Sequence, residues 1–218
     1  HITDPAHMTL DPQSLLTAES IAQLSAQIVP DRAQAWGKGR GPADTIWMGV
    51  IDGSGTAVSF IQSIYHEFGS AVILADSGII WQNRGSSFSL DPNATNPLQP
   101  GRLPFHTLNP GLAHLANGDV LVYGSMGGDG QPQTLAAVFD RILHQKMTPQ
   151  AAVAAPRWLL GRTWGESSDT LKIESRLRAA TTDTLKQYGY DVDIYPTYDD
   201  LMRHPGAIFR PCTGMLDG

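Results

Sequence analysis

One stretch of the chain decides the fold: Gly41-Pro42-Ala43-Asp44-Thr45-Ile46-Trp47-Met48-Gly49-Val50-Ile51-Asp52. A loop of small residues runs directly into an apolar segment, and Thr45 stands at the junction. A threonine hydroxyl is a weak nucleophile unless a base lies beside it, and a freed amino group on the same residue is one such base. We therefore interpret Thr45 as a nucleophile and the Asp44–Thr45 bond as a cleavage site. The alternative at this point is a surface threonine at the start of a strand.

Downstream of Thr45, short apolar runs separated by turn residues predict paired strands. The predicted hairpins join 46–52 to 56–63, 71–74 to 79–82, and 115 to 119–123. The second half of the chain predicts helices over 134–145, 149–155 and 177–188 and strands over 171–174, 192–195 and 207–210. Hairpins followed by paired helices indicate an α+β layered domain and not alternating βαβ units.

Upstream of Thr45, the chain predicts one helix and a connector. Thr17 suits an N-cap, and the spacing of Ile21, Leu24 and Ile28 predicts a helix over 17–29. Residues 31–43 are rich in glycine, arginine and lysine. We interpret them as an exposed, mobile connector, where cleavage of the chain is sterically easy.

The composition excludes several classes of protein. The 218 residues carry a net charge of −6 and are 41% hydrophobic, which suits one or two folded domains. No basic run stands out, so nucleic acid and anionic membrane surfaces are poor partners, and no apolar run is long enough to span a bilayer. The single cysteine, Cys212, excludes an internal disulfide and a cysteine-based zinc site. We expect a cytoplasmic protein.

Four stretches carry residues that suit catalysis or binding. Glycines in residues 124–130 let backbone N–H groups converge on a negative oxygen, so this loop suits an oxyanion hole or a phosphate cradle, or is a tight turn. Arg84, held among amides and hydroxyls, suits a carboxylate clamp or is a surface arginine. His66 beside Glu67 suits a metal site or a general base, or is a solvated pair. The donors of residues 104–110 line a pocket or hold a loop.

The order and spacing of these stretches resemble the small-subunit half of the γ-glutamyltransferase family, a branch of the N-terminal-nucleophile hydrolases. That family shows a Thr-Thr-His-x-x-Val-Val-Asp start, and residues 45–52 fall on it with Thr45 at the nucleophile. The family's second threonine, which hydrogen-bonds the nucleophile, falls on Ser63. Its Gly-Ser-Pro-Gly-Gly oxyanion loop falls on residues 124–128, which places Gly127 and Gly128 at the donors. The other matches are Phe68-Gly69, Ser77-Gly78-Ile79, Phe88-Ser89 and Ala155-Pro156-Arg157.

The resemblance implies the four-layer αββα sandwich of the N-terminal-nucleophile hydrolases. It divides the chain into the C-terminal tail of a large subunit at 1–44 and a small-subunit catalytic domain at 45–218. The large subunit of the same precursor is the implied partner, in a heterodimer or a dimer of heterodimers. We expect the chain to be a fragment whose missing part supplies an arginine and one outer helical layer.

Several positions depart from the family pattern and predict a different substrate. The departures are Ile46 and Trp47 for a threonine and a histidine, Tyr65 for an asparagine, and His106 and Thr107 for a pair of serines. Most important, the acidic residue that grips the α-ammonium of glutamyl substrates falls on Ser87, and a nearby glutamine falls on Arg84. Leaving an ammonium without its charged partner costs about 1.5–3 kcal/mol. The extra cation therefore favours a small anionic acid over an α-amino acid.

This combination resembles the oxamate amidohydrolase members of the family, which act in purine-derived nitrogen use. The resemblance implies a self-processing threonine amidohydrolase that needs no cofactor and no metal. Thr45 attacks the amide, Gly127 and Gly128 hold the oxyanion, and Ser63 orients the Thr45 oxygen. The implied substrate contacts are Tyr65, Arg84, Ser87, His106 and Thr107. The alternatives are a γ-glutamyl hydrolase or transferase, an acylase for a dicarboxylic amide, and a non-catalytic subunit whose Thr45 is never freed.

Overall fold

The computed structural model describes residues 3–33, 44–161 and 168–213, and of Asp44 it describes the backbone alone. The helices are α1 (Ala18–Ala26), α2 (Gln131–Leu143), α3 (Pro149–Ala154) and α4 (Ala179–Gln187). The strands are β1 (Asp44–Ile51), β2 (Ala57–Tyr65), β3 (Gly111–His114), β4 (Val120–Gly124), β5 (Trp158–Leu160), β6 (Leu171–Glu174), β7 (Val192–Tyr195) and β8 (Gly206–Arg210). They form a β1–β2 hairpin, an antiparallel β3–β4–β8 sheet and a mixed β5–β6–β7 sheet. None of the helices in these ranges has the length and apolar character needed to cross a membrane.

The β1–β2 hairpin packs one face against the β3–β4–β8 sheet. Ile51 of β1 shares a buried cluster with Val120 and Val122 of β4, and Trp47 packs against the same cluster. A side chain at Gly124 would collide with the Trp47 indole, so the glycine is what admits the tryptophan. Because Ile51 lies beside the middle of β4 and Trp47 beside its last residue, the start of β1 lies over the end of β4.

The opposite face of the hairpin is apolar and open to solvent. Its side chains are between 43% and 58% exposed, and they are Ile46, Met48, Val50, Val58 and Phe60. Residues along a strand alternate between its two faces, so this pattern follows directly from the inward placement of Trp47 and Ile51. A strand with apolar residues on both faces is typical of a sheet that lies inside a layered protein.

Helices α2 and α3 cover the far side of the β3–β4–β8 sheet. Leu121 of β4 packs with Val138 and Ile142 of α2 and with Ala152 of α3. Val120 and Val122 face the hairpin, while Leu121 between them faces the helices. Hairpin, sheet and helices therefore follow one another as three layers of the predicted α+β sandwich.

The β5–β6–β7 sheet carries a buried ion network, here called the Glu174 network. The fully buried Glu174 carboxylate accepts hydrogen bonds from Arg157 Nε (2.9 Å) and Nη2 (2.5 Å) and forms a second ion pair with Arg176. The Tyr198 backbone N–H also donates to Glu174 (3.0 Å), and the Arg176 guanidinium lies 3.9 Å from the centroid of the Tyr198 ring. The network fixes β6 to the segment that precedes β8.

Most of the predicted elements are present, with shifted ends. Thr17 caps α1 as expected, its side chain accepting a hydrogen bond from Ser20 N (3.1 Å), although the helix ends at residue 26. Helix α2 begins three residues before the predicted start, because Pro132 fits the first turn of a helix. Of the predicted connector at 31–43, residues 34–43 lie outside the described residues.

Two features of the strands differ from the prediction. The segments 71–74 and 79–82 do pair, but through the single bridge Ile73–Ile80 and not as regular strands. Ala71 has a φ of 59°, which breaks the extended backbone at the start of the pair. The short strand β5 was missed, because its three residues follow Pro156 and carry no alternating pattern of their own.

Candidate active site

Thr45 and Ser63 face each other across the β1–β2 hairpin, on the side that packs against β4. The register pairs Thr45 with Ser63, and a β-bulge separates Thr45 from Asp44, which pairs with Tyr65. Bulges re-aim a side chain and are common beside active sites. The Thr45 Oγ1 atom is buried and, within the described ranges, has no hydrogen-bond partner. Such a hydroxyl costs about 1–3 kcal/mol unless a ligand or an added group completes it.

The glycine loop, residues 124–130, lies at the end of the sandwich where β1 begins. Gly127 has a φ of 121° and Gly128 a φ of 50°, and both residues are buried. Glycine adopts these angles without strain, and successive residues of this kind turn their N–H groups toward one concavity. Trp47, seated beside Gly124, holds the start of β1 over this loop. The fold therefore brings the predicted oxyanion donors to the Thr45 end of the hairpin.

Arg84 is the centre of a group of predicted substrate contacts, here called the Arg84 cluster. It comprises Tyr65, Arg84, Ser87, His106 and Thr107. Arg84 is only 4% exposed, its guanidinium lies 4.6 Å from the centroid of the Tyr65 ring, and its Nη1 donates to Thr107 Oγ1 (3.3 Å). Ser87 belongs to the same short 3-10 helix as Arg84, at residues 84–87. Because Tyr65 pairs with Asp44, the cluster adjoins the Asp44–Thr45 junction.

The Arg84 cluster contains a buried cation that lacks an anion. Neither Arg84 Nη2 nor Ser87 Oγ has a hydrogen-bond partner among the residues that the structure describes. Burial lowers the pKa of Arg84, and only the phenol of Tyr65 opposes this shift. A guanidinium nevertheless stays charged in proteins. A buried cation whose N–H group and neighbouring hydroxyl lack partners among the described residues suits the binding of a small carboxylate.

The surroundings of His106 favour its neutral form. Burial lowers its pKa from the ordinary value of 6.5, and the positive charge of Arg84 lowers it further. A neutral imidazole offers one donor and one acceptor without adding charge. Arg84 therefore supplies the positive charge of the cluster, and His106 contributes a polar side chain whose neutral form is favoured.

The sequence analysis missed Gln131, the first residue of α2. Its side chain is fully buried, its Oε1 accepts a hydrogen bond from Asn109 N (3.0 Å), and its Nε2 has no partner within the described part of the chain. Gln131 thus ties the loop that carries His106 and Thr107 to the end of the glycine loop. Only its position in the sequence pointed to it: Gln131 directly follows the glycine loop and is the first residue of a helix.

The contacts of His66 and Glu67 differ from those of a metal site. The His66 ring lies 4.4 Å from the Tyr65 ring, and Asn83 Oδ1 accepts a hydrogen bond from His66 N (3.0 Å). Glu67 is exposed. In the described ranges, no three histidine, cysteine, aspartate or glutamate side chains gather as a metal site.

Comparisons with known proteins found relatives in both sequence and structure. Residues 1–214 match the family model for gamma-glutamyltranspeptidase. The chain is 56% identical over 218 residues to the oxamate amidohydrolase proenzyme of Klebsiella pneumoniae, covering all of this chain and 41% of that protein. The structure of cephalosporin acylase from Bacillus halodurans superposes with a TM-score of 0.81 at 30% identity, covering 100% of this chain and 39% of that one. Helicobacter pylori gamma-glutamyltranspeptidase superposes with a TM-score of 0.65 at 27% identity, covering 78% of this chain and 94% of that one.

Proposed function

The chain belongs to the gamma-glutamyltranspeptidase family, and we propose that it is the catalytic part of a self-processing threonine amidohydrolase. The proposed substrate is a small amide that carries a carboxylate, and specifically oxamate, which is hydrolysed to oxalate and ammonia. The chain spans 41% of the length of the oxamate amidohydrolase proenzyme. The activity therefore belongs to a longer protein that contains these residues.

The observation that carries the proposal is the buried guanidinium of Arg84, for which the described residues provide no carboxylate partner. A site for an α-amino acid needs an anion to hold the ammonium group, whereas this site offers a cation and the Ser87 hydroxyl. Oxamate places a carboxylate directly beside its amide carbon. A clamp next to the Asp44–Thr45 junction would therefore present that carbon to Thr45.

The proposed reaction proceeds through an ester on Thr45. The hydroxyl oxygen forms a bond to the amide carbon while its proton passes to the free amino group of the same residue. The N–H groups of Gly127 and Gly128 hold the resulting oxyanion. The C–N bond then breaks, the leaving nitrogen takes the proton, and ammonia departs. Water attacks the ester in the second half, which releases oxalate and restores Thr45.

The same hydroxyl would first free its own amino group. In the precursor, Thr45 Oγ1 attacks the carbonyl of Asp44, the peptide bond becomes an ester, and water cleaves it. The bulge at this junction supports the step, because it removes the Asp44–Thr45 bond from regular pairing. The solved Helicobacter pylori chain matches 78% of these residues with almost its whole length, which fits a domain that begins near Thr45. We therefore place residues 1–44 in a large subunit that remains bound as the partner in a heterodimer.

Two alternatives retain the same catalytic apparatus. A γ-glutamyl hydrolase or transferase is favoured by the family match. In that case, however, the described residues of the site would offer the substrate's ammonium group the Arg84 guanidinium and not a carboxylate. An acylase for a dicarboxylic amide is favoured by the similarity to cephalosporin acylase and would also use the cation. A non-catalytic subunit would keep the Asp44–Thr45 bond intact.

Ammonia release separates these alternatives. The full-length protein is incubated with oxamate, with glutamine as a γ-glutamyl amide, and with the monoamide of a longer dicarboxylic acid. We expect kcat/KM for oxamate to exceed the others by at least about 10²-fold, because only oxamate brings its carboxylate to Arg84 with the amide at Thr45. A higher kcat/KM for glutamine would contradict the proposed substrate.

A further inference from the structure

Arg203 holds a backbone conformation that arginine rarely adopts. It follows the short 3-10 helix Asp200–Met202 with a φ of 75° and a ψ of 171°, a region used almost entirely by glycine. Such a conformation costs roughly 1–3 kcal/mol and persists where the surrounding structure fixes it. The side chain is also 3% exposed, so the chain buries a strongly hydrated group at a strained position. Strain of this kind is common at functional sites.

The Arg203 side chain lies against the glycine loop. A Cβ at Gly127 would overlap its Cδ, Nε and Cζ atoms, and a Cβ at Gly130 would lie 3.1 Å from its Nε and 3.4 Å from its Nη2. The two glycines therefore make room for the guanidinium, in addition to shaping the loop. The carboxylate of Asp129, between them, interacts with the same charge.

The Glu174 network holds Arg203 in this position. Arg157 is bound to Glu174 through two hydrogen bonds, and its Nη1 donates a hydrogen bond to the carbonyl of Arg203. A second N–H group of Arg157 donates to the carbonyl of Asp199 (3.4 Å). Buried ion pairs with several hydrogen bonds are rigid. The backbone that aims Arg203 at the glycine loop is thus anchored at both ends of the 3-10 helix.

We propose that Arg203 is a positioning residue of the reaction, which locks the Gly127–Gly128 donors in place and adds a fixed positive charge behind the oxyanion. The inference rests on the proposed function, in which these two N–H groups hold the negative oxygen. Burial lowers the pKa of Arg203 to about 10. The group therefore remains positively charged throughout the neutral range.

The expected signature is a loss of kcat with little change of KM. The substrate carbonyl is uncharged in the ground state, so a nearby cation stabilises it weakly. Once the oxygen carries a full negative charge, the same cation stabilises it strongly in a site with few water molecules. An interaction that strengthens only in the transition state lowers kcat when it is removed.

Three variants of the full-length protein test this role: Arg203→Met, Arg203→Lys and, as a control for loss of charge, Arg178→Met. Rates are expressed per mole of chain that begins at Thr45, measured by intact mass, so that incomplete processing does not count as lost catalysis. We expect Arg203→Met to lower kcat at least about tenfold with KM within about threefold, and Arg203→Lys to recover most of kcat. Arg178→Met removes an exposed positive charge outside the glycine loop, so kcat should stay within about threefold of the wild type.

The outcomes distinguish a failure of the role proposed for Arg203 from a failure of the proposed amidohydrolase function. Equal losses of kcat in Arg203→Met and Arg203→Lys, or an equal loss in Arg178→Met, would show that the loss does not come from a positive charge beside the glycine loop and would overturn the inference. An unchanged kcat in Arg203→Met would do the same. A wild-type protein that releases no ammonia from any of the amides would overturn the proposed function itself, and with it this role for Arg203.

Discussion

The Glu174 network and the Arg84 cluster are both built on buried arginines, but they differ in whether the charge is paired. Glu174 accepts hydrogen bonds from Arg157, Arg176 and the Tyr198 backbone, so the charges of that network are compensated inside the chain. Arg84 has an aromatic ring and a hydroxyl beside it, and no carboxylate among the described side chains compensates its charge. A paired buried charge holds segments together. An unpaired one is costly unless it binds something that arrives from outside.

The largest expected effect is a loss of stability when Glu174 is replaced. Glu174→Gln leaves two arginines facing a neutral amide, and removing one partner of a buried pair costs roughly 3–5 kcal/mol. We expect a large fall in the free energy of unfolding, measured by urea denaturation. Asp200→Asn is the control, because the Asp200 carboxylate is exposed and pairs with His204 at the surface. Equal losses in the two variants would contradict a structural role for the network.

The same carboxylate predicts how stability depends on pH. Burial alone would raise the pKa of Glu174, but hydrogen bonds from Arg157 and Arg176 outweigh it and hold the pKa below the ordinary 4.5. A carboxyl group with a lowered folded pKa stabilises the protein above its unfolded pKa and loses this contribution as pH falls. We expect stability to fall as pH drops below about 4.5 and this part of the fall to be absent in Glu174→Gln. Identical acid profiles would contradict the assignment.

At Arg84 the expected effect is on recognition and not on stability. Arg84→Met removes the proposed carboxylate clamp, and we expect kcat/KM for oxamate to fall about 10²-fold, since losing a buried charged partner costs about 2–5 kcal/mol. The melting temperature should stay the same or rise, because an uncompensated buried charge is lost. Arg178→Met, at an exposed position, is the control for loss of charge. A marked fall in melting temperature with unchanged kcat/KM would make Arg84 a structural residue.

Replacing Ser63 is expected to have a smaller effect on activity, which is confined to the chemical step. Ser63→Ala removes the hydroxyl opposite Thr45, and we expect kcat to fall about tenfold, with KM for oxamate nearly unchanged. Ser59→Ala, four residues earlier on the same face of β2, is the matched control. Steady-state kinetics on the processed protein distinguish the two, and similar kcat values in both variants would remove Ser63 from the mechanism.

The smallest effect is expected at Tyr65. Replacing the ring that stacks on Arg84 by leucine removes a cation–π contact, which is worth about 0.5–2 kcal/mol. We expect KM for oxamate to rise by a factor of about 2–30 with little change in kcat. The conservative variant Tyr65→Phe keeps the ring and should stay close to the wild type. A larger effect of Tyr65→Phe would mean that the phenol itself contacts the substrate.

The sequence predicted the β1–β2 hairpin and the pairing of Thr45 with Ser63 because these features depend on local patterns. The turn at Asp52 fixes the register, since its Oδ1 accepts hydrogen bonds from Ser54 N (2.9 Å) and Thr56 N (2.9 Å), and that register then places Thr45 opposite Ser63. The Arg84 clamp followed from the family pattern and from a change of residue type at one position.

Other parts of the site depend on tertiary contacts that leave no local signal. Arg203 stands where its φ would favour glycine, and nothing adjacent in the sequence indicates that Gly127 and Gly130, more than 70 residues earlier, make room for it. Gln131 was missed because its partner, Asn109, lies on a long loop, residues 88–110, that has little regular structure. The predicted segments 71–74 and 79–82 pair irregularly, because Ala71 has a left-handed backbone conformation that its residue type does not indicate.

The most direct test of the central claim is the intact mass of the full-length protein, with N-terminal sequencing of its chains. If Thr45 is a self-freed nucleophile, the wild type separates into two chains, and the smaller one begins at Thr45. The Thr45→Ala variant should remain a single chain and release no ammonia from oxamate. Two chains in Thr45→Ala, or an active wild type whose Asp44–Thr45 bond is intact, would contradict the claim.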